Sequence, residues 1–250
     1  MKRLGRVSCY TIAGLLVVAA LAEIGIYLDN VRTRREAEAL VNAIRQLRVG
    51  DSTLSSTESL RTDFRARKLA VSSVSGSLPQ QRYEIIVANV SLYKLKLEFP
   101  SLWRFGLRPT SVEAELTYEN ERLISVSYML HIPVLTSSGK PVDLVPGVSV
   151  AEDSDGEHHR NFNIVYRIRP SPIVAKALEV RFGALLTSRA TQEESDAAFD
   201  FSLSCISSLR GCRSFCQMVP SVWQEASRRL EIKEISLPKE ILETPRCATQ

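Results

Sequence analysis

Between Val7 and Leu28 the chain reads VSCYTIAGLLVVAALAEIGIYL, an apolar run carrying one charge, Glu23. At ~1.5 Å per residue a helix of this run reaches roughly 33 Å, enough to cross a hydrocarbon core of about 30 Å. The run therefore reads as a transmembrane helix. A second reading stays open, because Lys2, Arg3 and Arg6 precede it and Ala20-Leu21-Ala22 offers a small-residue cleavage site, as in a secretory signal peptide. The apolar residues continue past that site through Ile24, Ile26, Tyr27 and Leu28, further than a signal core needs, which favours a retained anchor. Cys9 stands at the start of the run and not after it, which is not the placement of a lipid-bearing cysteine. Glu23 falls near the far boundary and reads as an interfacial residue.

The basic residues flanking the run set its expected orientation. Lys2, Arg3 and Arg6 precede it, and Arg32, Arg34, Arg35, Arg45 and Arg48 come after it. A literal count favours a cytoplasmic C-terminal part, but long domains translocate largely regardless of charge. The cysteines tip the expectation towards a single-pass protein of the cell membrane with its C-terminal domain extracytoplasmic.

Beyond the anchor the chain has globular composition, with 24% charged and 44% hydrophobic residues over the whole length. The net charge of +4 owes much to the residues beside the anchor. It points to the lipid bilayer and its headgroups as a partner, with other envelope proteins as further partners and no nucleic acid, since no clustered basic face is visible.

Ala37, Leu40, Val41, Ile44 and Leu47 recur at helical spacing, and neither proline nor glycine falls between Ile26 and Val49, so the first helix is expected to run on beyond the membrane. Gly50 supplies a stop. Ser55 and Glu58 have capping-box spacing before a short helix with Leu60 and Phe64 on one face. After a serine-rich connection from Val71 to Gln81 the period becomes two. Tyr83–Val90 is nearly continuous and suits a strand covered on both faces. Tyr93–Phe99 alternates, and Val112–Tyr118 and Ile124–Ile132 flank Glu119-Asn120-Glu121 as a hairpin ending at Pro133. Ser137 to Glu157 reads as loop, because it carries Gly139, Pro141, Pro146 and Gly147. Phe162–Ile168, Leu178–Leu186 and Phe199–Cys205 are further expected strands, and Ser221 with Gln224 caps a last helix through Leu230.

These elements predict an α+β chain: a transmembrane helix, a helical pair, then a mainly antiparallel β-sheet domain. Its expected parts are a basic tail (1–6), the transmembrane helix or signal peptide (7–28), the helical pair (29–70), an antiparallel β-rich domain (71–210), and a cysteine-containing C-terminal helix and tail (211–250).

Cys205, Cys212, Cys216 and Cys247 form an even set near the C-terminus. A bridge between Cys212 and Cys216 within one helical turn would be strained, so Cys205 is expected to join one of them and Cys247 the other, in an oxidising compartment. Free buried thiols are the alternative. No metal is expected, since the spacing is CxxxC with no histidine after His159. The Asp153-Ser154-Asp155-Gly156 run beside His158 and His159 lacks the glutamate of a calcium loop, Ile164 standing there instead. His131 falls on the polar parity of its strand and is expected at the surface. Ser91 with Lys94 and Ser137 with Lys140 have SxxK spacing without a helix to bring the pair together. No GxSxG, GxGxxG, phosphate loop or HExxH is present, so no catalytic residue and no cofactor are expected. Trp103, Arg104, Phe105 and Arg108 form a candidate interface loop, of a composition favoured at contacts; folding back over the end of a sheet is its alternative use.

The two helices joined by Leu47-Arg48-Val49-Gly50-Asp51-Ser52-Thr53 resemble, over residues 37 to 64, the small lipoprotein family of outer-membrane assembly factors, in which a similar turn links two helices. This chain departs from that family by lacking the lipid-bearing cysteine and by its greater length. More broadly it is similar to uncharacterised single-pass envelope proteins of bacteria. The expected function is a membrane-anchored extracytoplasmic binding or structural protein of the cell envelope, not an enzyme. Two alternatives stand beside it: a membrane-bound hydrolase with dispersed catalytic residues, and a cytoplasm-facing membrane sensor.

Overall fold

An unbroken helix, α1 (Lys2–Arg45), opens the chain. Its residues Asn30, Thr33, Ala37, Leu40, Val41 and Ile44 are buried, at the three-and-four spacing that puts them on one face. Earlier in the same helix Leu16, Val17, Val18, Leu21, Ile24, Tyr27 and Leu28 are all exposed. The computed structural model describes residues 2–69, 80–89, 92, 110–135, 141–152, 161–171, 178–207 and 214–228, leaving the side chains of 2–12, 15, 19, 134, 135 and 141 outside the description. Gly50, at φ +95, turns the chain in the left-handed region, and its N–H donates to the Leu123 carbonyl at 2.8 Å. The short α2 (Glu58–Asp63) comes next, with Leu60 buried. Its N-cap is Thr57, whose side chain makes no capping bond, so the capping box expected at Ser55 and Glu58 does not form. Thr57 Oγ1 instead lies 2.5 Å from the Tyr118 hydroxyl and bonds the carbonyls of Thr53 and Leu54.

Seven strands make one sheet: β1 (Arg67–Leu69), β2 (Gln80–Ala88), β3 (Ser111–Glu119), β4 (Arg122–Leu135), β5 (Pro141–Ala151), β6 (Phe162–Pro170) and β7 (Leu178–Thr187), in the order β1-β2-β3-β4-β5-β7-β6. Every pairing is antiparallel except that of β5 with β7. The β3–β4 hairpin turns on Asn120 and Glu121, both at positive φ (49 and 64), the tight turn whose twist matches its strands. After the sheet come α3 (Gln192–Ala198), a 3-10 turn (Leu203–Ser207), α4 (Phe215–Met218) and α5 (Pro220–Arg228). A capping box does form at α3, between Thr191 and Glu194.

One sheet face carries the core. Ile85, Leu116, Tyr118, Tyr128, Leu130, Leu144, Val180 and Phe182 are fully buried there with Leu40 and Ile44 of α1 and Val222 of α5. The Phe182 ring lies 5.2 Å from Phe215 and 5.4 Å from Trp223. Each large apolar side chain so buried stabilises the fold by about 1.5–3 kcal/mol.

Several expectations are corrected. The expected loop from Ser137 contains β5, an interior strand. Its ladder to β4 lapses opposite Pro146, between the Met129–Gly147 and Ile132–Leu144 pairs, where a residue without an N–H can be accommodated. Strand β4 does not stop at Pro133, which pairs with Asp143. Strand β2 is not covered on both faces, since Ile86 is 55% exposed. Phe199–Cys205 is not a strand: β5 and β6 already occupy both edges of β7, and the segment ends in the 3-10 turn. The expected strand Tyr93–Phe99 lies outside the described residues.

Candidate functional site

Side chains on the second sheet face alternate with those of the core, and there the register makes Asp143, Glu179 and Arg169 direct partners across β5, β7 and β6, while His131 of β4 lies diagonal to Asp143 on one side and to Glu113 of β3 on the other. His131 Nδ1 lies 3.0 Å from Asp143 Oδ2, and its Nε2 lies 3.3 Å from Glu113 Oε2. Arg169 Nε donates to Glu179 Oε1 at 2.7 Å, and Arg181 Nε donates to the same oxygen. His131, Asp143 and Glu179 are buried. The expectation of a surface His131 is thus overturned: its parity is polar, but its neighbours on that face are carboxylates that neutralise it out of water.

Burial alone would lower the His131 basicity. The hydrogen bonds and charges of Asp143 and Glu113 outweigh it and hold the imidazole up to about 9. Glu113 is held below the usual carboxylate range, first by its contact with His131 and against its own desolvation. For Glu179, burial works upwards, but Arg169 and Arg181 together hold the carboxyl down. Asp143 and Glu179, direct partners across β5 and β7, put two carboxylates side by side, with His131 against the first and Arg169 and Arg181 against the second.

A histidine that holds its proton at neutral pH cannot serve as a general base there. Among the described residues no hydroxyl or thiol hydrogen-bonds either ring nitrogen, and no group of His, Cys, Asp and Glu could hold a metal ion. The row is therefore read as a structural ion ladder. Asp143 Oδ1 and Glu179 Oε2 are buried without a hydrogen-bond partner. Sequence patterning missed the ladder because Asp143 fell in the expected loop; the polar parity of Glu113 and His131 was the available signal.

Cys205 is buried, and both Cys205 and Cys216 are disulfide-bonded. Cys212 and Cys247 lie outside the described residues, as do Trp103, Arg104, Phe105, Arg108, His158, His159, Asp153, Asp155 and both SxxK pairs. Among the described residues no helix is long and apolar enough to cross a membrane. The expected span Val7–Leu28 includes side chains at 7–12, 15 and 19 that fall outside them. Searches against protein-family models, curated proteins and solved structures find no match to this chain.

Proposed function

We propose that this is a membrane-anchored, extracytoplasmic binding or structural protein of the cell envelope, without catalytic activity of its own. The observation that carries the reading is the division within α1. From Asn30 onwards its buried face belongs to the core, whereas Leu16, Val17, Val18, Leu21, Ile24, Tyr27 and Leu28 stand in the open around it. Exposed apolar side chains on all sides of a helix need an apolar surrounding, and a bilayer supplies one. The helix passes from one regime to the other without a break, so the apolar half leads directly into the half that packs on the core. The buried His131, held between the carboxylates of Asp143 and Glu113 with no hydroxyl or thiol on its ring among the described residues, supports a binding or structural role over hydrolysis.

Flotation of the full chain with phospholipid vesicles after an alkaline wash tests the anchoring. Retention with the vesicles is expected, together with its loss on replacing Leu16, Val17, Val18 and Leu21 by glutamine. Release of the unaltered chain by the wash contradicts the reading.

A further inference from the structure

We infer that the second sheet face carries a binding site for a small aromatic carboxylate, an inference that rests on the binding reading above and not on the anchor. The register places Met129, Gly147, Gly183 and Val165 in one rung across β4, β5, β7 and β6, on the face opposite the core. Met129 and Val165 thus stand three strand spacings apart, about 14 Å, with only backbone between them. A Cβ at 183 would come within 1.8 Å of the Gly147 carbonyl oxygen, and one at 147 within 3.0 Å of the Tyr128 carbonyl oxygen. Backbone crowding therefore keeps both positions bare and leaves a hollow of about 240 Å³ in the middle of the sheet. Val145 and Arg181 close it at one end, Ser149 and Leu185 at the other.

One rim of the hollow is cationic. Arg181 lines it, and the direct partner of Arg181 on β6 is Arg167, which is exposed and follows Val165 by two residues on the same face. Like charges directly opposite on neighbouring strands repel. The carboxylates of this face do not compensate both arginines: Glu179 is shared between Arg169 and Arg181, Glu113 and Asp143 are taken up by His131, and Glu84 and Glu115 pair with Arg67 and Arg82. Glu119 lies at the far end of β3. Among the cations that the described strands place on this face, Arg167 alone has no ion pair. A single anionic group seated beside Arg167 and Arg181 relieves their repulsion, and the planar guanidinium forks match a carboxylate. Next to it the hollow offers the side chains of Met129, Val145, Val165 and Leu185 to an apolar group, in a space larger than the ~150 Å³ that holds a benzene ring. A floor of two glycines and a thioether at the wall suit an aromatic ring better than a flexible chain, because sulfur–aromatic contacts are favourable and a rigid ring loses less freedom on binding.

Equilibrium dialysis of 2-naphthoate against the full chain in phosphatidylcholine nanodiscs, with empty nanodiscs as the blank, tests the site. Saturable binding of one equivalent with Kd below about 1 mM is expected. The neutral isostere 2-naphthamide is expected to bind at least about tenfold more weakly, Arg167→Gln to weaken 2-naphthoate by a similar factor, and Val165→Trp, which fills the hollow from its exposed wall, to abolish binding. Near-ultraviolet circular dichroism identifies a variant that has lost its fold, and the comparison of naphthoate with naphthamide needs no variant. No saturable binding, equal affinity for the amide, tighter binding of octanoate than of 2-naphthoate, or unchanged affinity in either folded variant overturns the inference. A chain that floats with vesicles and does not bind refutes this site alone, and one that binds and does not float refutes the anchoring alone.

Discussion

Asn89 Nδ2 and Asn30 Oδ1 meet at 2.5 Å in a place where neither residue is more than 3% exposed, and this contact joins α1 to the end of strand β2. Asn89 Oδ1 also accepts from the Leu92 backbone at 2.9 Å. Truncating Asn30 to alanine leaves a buried amide donor without its acceptor, which costs about 1–3 kcal/mol. Urea unfolding of the detergent-solubilised chain is expected to show that loss. Asn30→Asp keeps an acceptor and is expected to retain more stability than Asn30→Ala at neutral pH.

His131 gives the fold a distinctive dependence on pH. Its ordinary value of 6.5 is raised to about 9 by Asp143 and Glu113. Its stabilisation is therefore complete below about 6.5 and is lost as pH rises through about 9, on the order of 3 kcal/mol in all. Glu113 is shifted down, so its contribution is present above its ordinary value of 4.5 and is lost as pH falls below it. The urea midpoint is expected to be highest between about pH 5 and 6.5, to fall as pH rises from about 6.5 to about 9, and to level off above that. Asp143→Asn should lower the neutral midpoint and flatten the alkaline fall. An unaltered alkaline limb in that variant contradicts the assignment.

The pairing of Gly147 with Gly183 leaves no room for a side chain. A Cβ built on Gly183 would lie 1.8 Å from the Gly147 carbonyl oxygen, which is backbone and cannot swing aside. Gly183→Ala is expected to destabilise by about 2 kcal/mol or more, or to prevent folding. Gly14→Ala, where nothing lies within 4 Å, serves as the neutral control in the same thermal melt.

The sequence made the elements with a clear period legible: the Ala37–Ile44 stripe, the β3–β4 hairpin, β6 and β7. It hid β5, because Pro141, Pro146 and Gly147 are loop residues by composition. Here Pro146 is tolerated where the ladder to β4 lapses, and a Cβ on Gly147 would lie 3.0 Å from the Tyr128 carbonyl oxygen of β4. Without β5 the partner of His131 could not be found, so a buried ion ladder read as a polar strand face. Phe199 to Cys205 misled in the opposite direction: alternate residues are indeed buried, but both sides of β7, the strand before them, are already paired with β5 and β6.

The disulfide-bonded state of Cys205 and Cys216 suits an oxidising compartment. Of the five cysteines, alkylation of the native chain before reduction is expected to reach no more than Cys9, and after reduction all five. Four reactive thiols besides Cys9 before reduction would favour a domain that faces the cytoplasm.

The central claim is that the apolar start of α1 stays in the bilayer and holds the sheet domain outside the cytoplasm. Alkaline phosphatase fused after Gln250 measures it most directly. Enzymatic activity is expected, in a fusion that sediments with membranes and still begins at Met1. An inactive fusion, or an active one released in soluble form with Glu23 as its first residue, contradicts the claim.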